Sequence, residues 1–229
     1  MYVTPQPPPA ARPWWLVLGP GFAALIGLFL LTVAHPFGGA FAAEVQRDLR
    51  LSSQAVLFEV LVTYVLAAAL GAVLGLLLGG RVPTGLAVPA ICLMLLGTLA
   101  LTLSPNGLFV GLGRALTGLG AGVTIGVTVA LIRTQPRQRG AAFGVFGALG
   151  LLALVVAPFL GKLVADVLSW RICQLIALPF LFLALLLSAI CGIIAMSSAK
   201  RPVPSPMPYA APYPPQPQYQ PQPGYEPPK

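Results

Sequence analysis

Residues 55–79 read AVLFEVLVTYVLAAALGAVLGLLLG and contain a single charged side chain, Glu59. An α-helix rises about 1.5 Å per residue, so a run of this length reaches across the roughly 30 Å hydrocarbon core of a bilayer. The run therefore predicts a membrane-spanning helix. Five other runs satisfy the same rule, and together the predicted spans are residues 14–34, 55–79, 85–103, 108–132, 140–168 and 172–196.

The composition agrees with a membrane protein and excludes a soluble domain. Hydrophobic residues make up 57% of the chain and charged residues 8%, whereas soluble domains carry about 25% charged residues. We therefore predict an all-α membrane protein with six transmembrane helices, whose first partner is the lipid bilayer. The net charge of +8 is spread over the ends of the apolar runs, so nucleic acid is not an expected partner.

No catalytic set is visible in the sequence. His35 is the only histidine, no phosphate-binding glycine loop is present, and the three cysteines lie inside apolar runs without ligand spacing. We expect no enzyme activity, no cofactor and no metal site.

The distribution of basic residues predicts the orientation of the chain. Because successive loops alternate sides, one side receives seven basic residues, namely Arg12, Arg81, Arg133, Arg137, Arg139, Lys200 and Arg201. The other side receives Arg47, Arg50 and Arg171, with Lys162 near a helix end. The positive-inside rule then predicts a plasma (inner) membrane protein with both termini in the cytoplasm. The first run is too long for a signal peptide, although Ala40-Phe41-Ala42 resembles a cleavage site.

The two ends of the chain have compositions that cannot form a packed core. We predict a disordered cytoplasmic arm over residues 1–13 and a disordered Pro/Gln/Tyr-rich cytoplasmic tail over residues 197–229. The tail is either a solvated extension or a ligand for a partner that recognises proline or tyrosine.

Two charged residues inside the apolar runs are candidates for a substrate or proton pathway. Placing the Arg114 side chain in hydrocarbon costs roughly several kcal/mol, unless the side chain faces protein or water. Glu59 lies at a similar depth in another span, so the two could pair, and an arginine beside a protonatable carboxylate suits proton-coupled binding. Alternatively, Arg114 snorkels or bonds a helix end while Glu59 faces the headgroups.

Glycines at a spacing of four predict close helix contacts, because small residues on one helix face let backbones approach. The candidates for packing or gating in the second and fourth spans are Gly71, Gly75, Gly79, Gly118, Gly122 and Gly126. The fifth span adds Gly140, Gly144, Ala148 and Gly161, with Pro158 as a hinge candidate because proline removes a helix hydrogen bond.

Several of these features resemble the N-terminal six-helix half of the major facilitator superfamily of transporters. The fourth span reads RALTGLGAG over residues 114–122, an arginine followed by small residues, as in that family. The fifth span is similar to the antiporter pattern of the family at Gly144, Ala153, Ala157-Pro158 and Gly161-Lys162. The Ser169-Trp170-Arg171 segment and the first outer loop, RDLRLS over residues 47–52, also resemble the family.

The loop after the second span departs from the family. Gly75 and Leu77 fit its signature, but Gly79 and Gly80 stand where aspartate and arginine are expected, which leaves Arg81 as the only charge. Most of the cytoplasmic charge relay of ordinary members is therefore missing.

The resemblance implies a transporter that moves a small solute or drug-like molecule by alternating access, coupled to protons. Because ordinary members have twelve helices in two parallel repeats, a homodimer or a complex with a second half is geometrically permitted. The competing interpretation is a non-transporting membrane subunit or scaffold whose proline-rich tail recruits a partner.

Overall fold

Seven helices form almost the whole of the part of the chain that the structure describes. A computed structural model describes residues 13–33, 40–135, 139–167 and 169–199, and among them no strand occurs. The helices are α1 (Trp14–Val33), α2 (Ala40–Leu49), α3 (Ser53–Leu78), α4 (Pro83–Thr102), α5 (Gly107–Arg133), α6 (Arg139–Val167) and α7 (Trp170–Ala199).

Six of these helices are long and apolar enough to cross a membrane, all except α2. The predicted all-α class with six spans is confirmed, and the bounds agree within a few residues. The last helix continues three residues past the predicted end, to Ala199. Residues 1–12 and 200–229 lie outside the described residues, so the structure does not test the predicted disorder of the arm and tail.

Local sequence signals explain where several helices begin. The Ser52 hydroxyl accepts a hydrogen bond from the Ala55 N–H and caps α3, while the Asn106 side chain accepts one from the Phe109 N–H and caps α5. Pro83 occupies the first position of α4, where a missing N–H costs nothing. Between α2 and α3, Arg50 has a positive φ of 53°, which turns the chain sharply.

One stretch of α3 departs from regular α-helix. Residues Leu57–Val62 form a π-helical turn, and the Thr63 hydroxyl donates to the Phe58 carbonyl at 2.8 Å across it. Glu59 lies inside this turn. Single π-turns within α-helices occur often at functional sites.

The helices form a ring with two flanking members. α1, α4, α5 and α7 surround the interior, α3 packs along α5, and α6 leans mainly on α1. The most buried span is α5, in which 72% of an 18-residue apolar stretch is buried, and the least buried is α6, with 11%. One end of the bundle holds α2, residues 103–106 and the start of α7. We call it the α2 end.

Two apolar clusters fill the interior towards that end. The central cluster consists of Ala23, Ile26, Leu30, Tyr64, Ile91, Met94, Ala121, Ala177, Leu181 and Ala184. The α2-end cluster consists of Val45, Val56, Val60, Leu101, Val110 and Trp170. The polar residues described below lie at or between these two clusters.

Candidate functional site

Arg114 is buried inside the bundle, with only 1% of its surface exposed. Its Nη1 donates a hydrogen bond to the Leu30 carbonyl at 3.0 Å, in the last turn of α1. Its guanidinium carbon also lies 5.2 Å from the centre of the Tyr64 ring, within the range of a cation–π contact. The partly negative C-terminal end of α1 and the ring face therefore both stabilise the cation.

Tyr64 is itself held in place from the same helix. Its hydroxyl donates to the Gly27 carbonyl at 2.7 Å, and 2% of the residue is exposed. Arg114 and Tyr64 thus tie α5 and α3 to α1 through two backbone carbonyls that lie about one turn apart.

Glu59 occupies a different place, at the edge of the bundle. One carboxylate oxygen, Oε2, is buried and has no hydrogen-bond partner. It lies against Gly107, where a Cβ would collide with it, and an open groove of about 480 Å³ runs past it between α3 and α5. Thr63, Leu108 and Gly111 also line that groove.

The predicted pairing of Arg114 with Glu59 is not present in the structure. Glu59 lies beside Gly107, which precedes Arg114 by seven residues, or about 10 Å along the helix axis. Arg114 turns to α1 instead, and the one ion pair among the described residues joins Arg171 to Asp48. Residue counts from the helix ends gave the two residues a similar depth, but they carried no information on the side-chain direction of either residue.

The glycines of the second and fourth spans lie against each other's helix backbones. A Cβ on Gly71 would meet Leu119 and Val123, and one on Gly75 would meet Val123 and Gly126. On α5, the glycines lie in turn against the backbone of α3. Gly118 lies against Tyr64, Gly122 against Ala68 and Gly126 against Ala72. Gly79 approaches Val127 in the same way.

The candidates in α6 are divided between two environments. Gly161 packs on α1, where a Cβ would lie 2.9 Å from the Val33 carbonyl oxygen. Gly144, in contrast, faces open space, as do Gly140 and Gly147, so this face of α6 makes no close helix contact within the described residues. Pro158 lies inside a continuous helix, next to buried Ala157, which packs on Val33.

A polar cluster closes the α2 end. The Asp48 carboxylate accepts hydrogen bonds from the Trp170 indole N–H at 3.2 Å and from Arg171 at 3.1 Å, and Glu44 accepts from the Trp170 backbone N–H at 3.1 Å. Arg171 also donates to the carbonyls of Thr102 and Ser104. Two carboxylates one turn apart on α2 therefore fix the start of α7 and the α4–α5 loop.

Sequence reasoning missed the role of Glu44 and Asp48, and it also missed two buried polar residues, Thr98 and Gln174. The spacing of four between the two acids, on a short polar segment, was an available signal for the first pair. No sequence signal distinguishes Thr98 or Gln174 from polar residues that face a headgroup.

An apolar groove of about 600 Å³ opens between α1 and α6 at the end away from α2. Its walls include Trp14, Phe22 and Phe146, and Gln135 supplies a polar group at its rim. This volume is in the range of sites that bind drug-sized molecules.

Six membrane-crossing helices around a buried arginine define a polytopic membrane protein. The sequence profile of the Major Facilitator Superfamily matches residues 21–217, most of the chain. The chain belongs to this superfamily, as the motifs in the sequence indicated, and the family groups it with transporters and not with enzymes.

Individual relatives are named as resistance proteins or as transporters. The puromycin resistance protein of Streptomyces alboniger is 32% identical over 191 residues, which is 78% of this chain and 35% of the relative. The MFS-type transporter TOXA of Cochliobolus carbonum is 30% identical over 72% of this chain and 29% of its own length. The lincomycin resistance protein of Bacillus subtilis is 28% identical over 71% of this chain and 34% of its own length. The chain thus spans about a third of the length of these relatives.

Proposed function

We propose that this chain is one six-helix unit of a transporter that moves a small, drug-like solute across the plasma membrane by alternating access, driven by protons. The observation that carries the proposal is the superfamily match over residues 21–217 together with six membrane-crossing helices. The relatives named for resistance to puromycin and lincomycin support a drug-like solute.

The groove between α1 and α6 is the proposed contact surface for the solute. Its aromatic and aliphatic walls suit an apolar molecule, while the Gln135 amide can fix the position of one polar group. The groove lies between α6, the least buried span, and α1, so a movement of α6 would change its width.

Glu59 is the proposed proton site. Its buried, unpartnered oxygen lies in a π-turn at the edge of the bundle, where a proton can reach it from the α2 end. Arg114 has a separate role, because its contacts are to α1 and α3 and not to this carboxylate.

The proposed orientation puts the α2 end outside the cell and both termini in the cytoplasm. The described basic residues at the other end are Arg81, Arg133 and Arg139, and the sequence adds Arg12, Arg137, Lys200 and Arg201 on the same side. At the α2 end, Arg171 is paired with Asp48. The excess of basic residues favours cytoplasmic termini.

A second six-helix unit, either another copy or a different half, is the proposed partner. Gly140, Gly144 and Gly147 leave a surface of α6 without side chains and without a neighbour among the described residues. In lipid, such small-residue surfaces permit a second helix backbone to approach closely.

Transport is tested in proteoliposomes with an imposed pH gradient and radiolabelled puromycin or lincomycin as the probes. We expect gradient-dependent movement for the wild type and loss of its dependence on the gradient for Glu59→Gln. The matched control is Glu226→Gln in the tail, which should behave as wild type. If the wild type moves the probes equally with and without the pH gradient, the proposal of proton coupling is wrong. If Glu59→Gln keeps the gradient dependence of the wild type, Glu59 is not the proton site.

A scaffold is the second candidate, and one observation favours it. The described segment between α3 and α4 contains a single charged residue, Arg81, and Gly79 lies against α5 where a side chain would not fit. A scaffold predicts no movement of either probe at any gradient, combined with capture of a partner that is lost when residues 200–229 are deleted.

A further inference from the structure

A layer of buried polar side chains separates the two apolar clusters. On α4 the inward-facing series is Met94, Thr98 and Leu101, in which the first residue belongs to the central cluster and the last to the α2-end cluster. The corresponding series is Ala177, Gln174 and Trp170 on α7, and Ala121, Arg114 and Val110 on α5. Thr98, Gln174 and Arg114 therefore lie at one level of the ring, which we call the polar layer.

The level of these residues can be checked by counting from the α2 end of each helix. Thr98 and Gln174 each lie four residues from it, or about 6 Å along the helix axis, while Arg114 lies seven residues in, or about 10 Å. A helical side chain leans towards the N-terminus of its helix, and for α5 this is the α2 end. Contacts between the helices give the level of all three residues. Gly97 on α4 packs against Gly113 on α5, which places the next residue on each helix, Thr98 and Arg114, at one level. Arg171 donates to the Thr102 carbonyl, which places Gln174 and Thr98, each about one turn further from the α2 end, at one level as well.

Each of the three side chains is buried and has polar atoms without a partner. The exposed fractions are 1% for Arg114, 0% for Thr98 and 1% for Gln174. The atoms without a hydrogen-bond partner are Nε of Arg114, Oγ1 of Thr98 and both Nε2 and Oε1 of Gln174. Buried polar atoms are normally satisfied, so four such atoms at one level indicate a bound species.

Thr98 differs from the other buried threonines in a way that supports this interpretation. Thr117, Thr124 and Thr128 donate their hydroxyls to carbonyls three or four residues earlier in the same helix, as does Thr102. This local bond is the ordinary choice for threonine in a membrane helix. The Thr98 hydroxyl does not make it and is left for another acceptor.

The charge of the polar layer decides the chemistry of the bound species. Arg114 is the charged member, and its partners are a carbonyl and an aromatic ring, with no carboxylate within ion-pair distance among the described residues. A buried charge without a counter-charge is strongly unfavourable. The unpartnered donors are a guanidinium N–H, an amide N–H group and a hydroxyl.

We propose that the polar layer binds one small monovalent anion, a halide or a carboxylate group, through Arg114 Nε, Gln174 Nε2 and the Thr98 hydroxyl. The anion neutralises Arg114 in place of the carboxylate that the helices do not provide. This site is independent of transport, so it stands whether the chain moves a solute or serves as a scaffold.

The test is the thermal unfolding of the purified full-length chain in mild detergent at constant ionic strength. Sodium gluconate is the reference, and sodium chloride or sodium formate replaces it stepwise. A ligand that binds only the folded state raises the midpoint, and we expect a saturable rise of about 5 °C at full replacement. A rise with chloride alone identifies a halide site, whereas a rise with formate identifies a carboxylate site.

Three variants locate the site. Thr98→Val and Gln174→Leu should lose most of the anion-dependent rise, whereas Thr124→Val, an equally buried threonine with a local bond, should keep it. Arg114→Gln should abolish the rise, and if that variant does not fold, the first two decide. Equal midpoints in gluconate, chloride and formate, or a full rise in both Thr98→Val and Gln174→Leu, would overturn the proposal.

Discussion

The Cα of Gly122 in α5 lies directly against the carbonyl oxygen of Ala68 in α3, with no room for a Cβ between the two helices. The same relationship recurs one turn away in each direction, at Gly118 with Tyr64 and at Gly126 with Ala72. The two parallel helices are therefore in backbone contact over two turns, which the hydrophobic effect alone would not produce inside lipid.

Gly122→Ala should destabilise the bundle by about 1–3 kcal/mol, because the added methyl group must displace the backbone of α3. Thermal unfolding in detergent measures this as a lower midpoint. Gly85→Ala on α4 is the matched control, since its Cβ would make only an ordinary contact with Val82 at 3.7 Å and alanine favours a helix. Equal midpoints for the two variants would show that the α3–α5 contact is looser than described.

Asp48→Ala should lower the thermal midpoint more than Asp48→Asn. Asparagine keeps an acceptor for the Trp170 indole N–H and loses only the charge that faces Arg171. Both ionic side chains are partly exposed, at 38% and 49%, so the charge itself should contribute at most about 1 kcal/mol. A larger loss in Asp48→Asn than in Asp48→Ala would contradict the described geometry.

Cysteine labelling should reveal the two ends of the bundle on opposite sides of the membrane. In a variant without Cys92, Cys173 and Cys191, the exposed positions Gln54→Cys and Thr134→Cys add no charge and remove none. A membrane-impermeant maleimide applied to intact cells should label position 54 and leave position 134 unlabelled until the cells are opened. The reverse pattern would invert the proposed orientation.

Gly144→Phe should weaken association between six-helix units. The phenyl ring would occupy the open surface where we place the second unit. The mass of the purified protein in mild detergent, from light scattering, should shift from dimer towards monomer. Leu96→Phe on α4, at a position that is 59% exposed, is the control and should leave the mass unchanged. A wild type that is monomeric throughout would end the dimer proposal.

The sequence predicted the spans because hydrophobic length is a local property of the chain. Residues 55–79 carry enough information on their own to indicate a membrane helix, and α3 is found at Ser53–Leu78. The glycine spacing likewise indicated which helix faces would permit close contact. The identity of the partner helix came only from the three-dimensional arrangement.

Side-chain direction lay beyond the sequence, and the Arg114–Glu59 pair shows why. Similar depth was read from residue counts, but the π-turn at Leu57–Val62 changes the helical register of Glu59, and a π-turn has no sequence signature. The Leu30 carbonyl that accepts from Arg114 is a backbone atom, so no residue type could point to it.

The close contact between α3 and α5 has a mechanical consequence. Two helices whose backbones touch through Gly71, Gly75, Gly118 and Gly122 cannot slide or tilt separately without a steric clash. We therefore expect α3 and α5 to move as one rigid unit, together with α4, which packs along the other side of α5. The least buried span is α6, which rests mainly on α1, and we expect it to move more easily than the other spans.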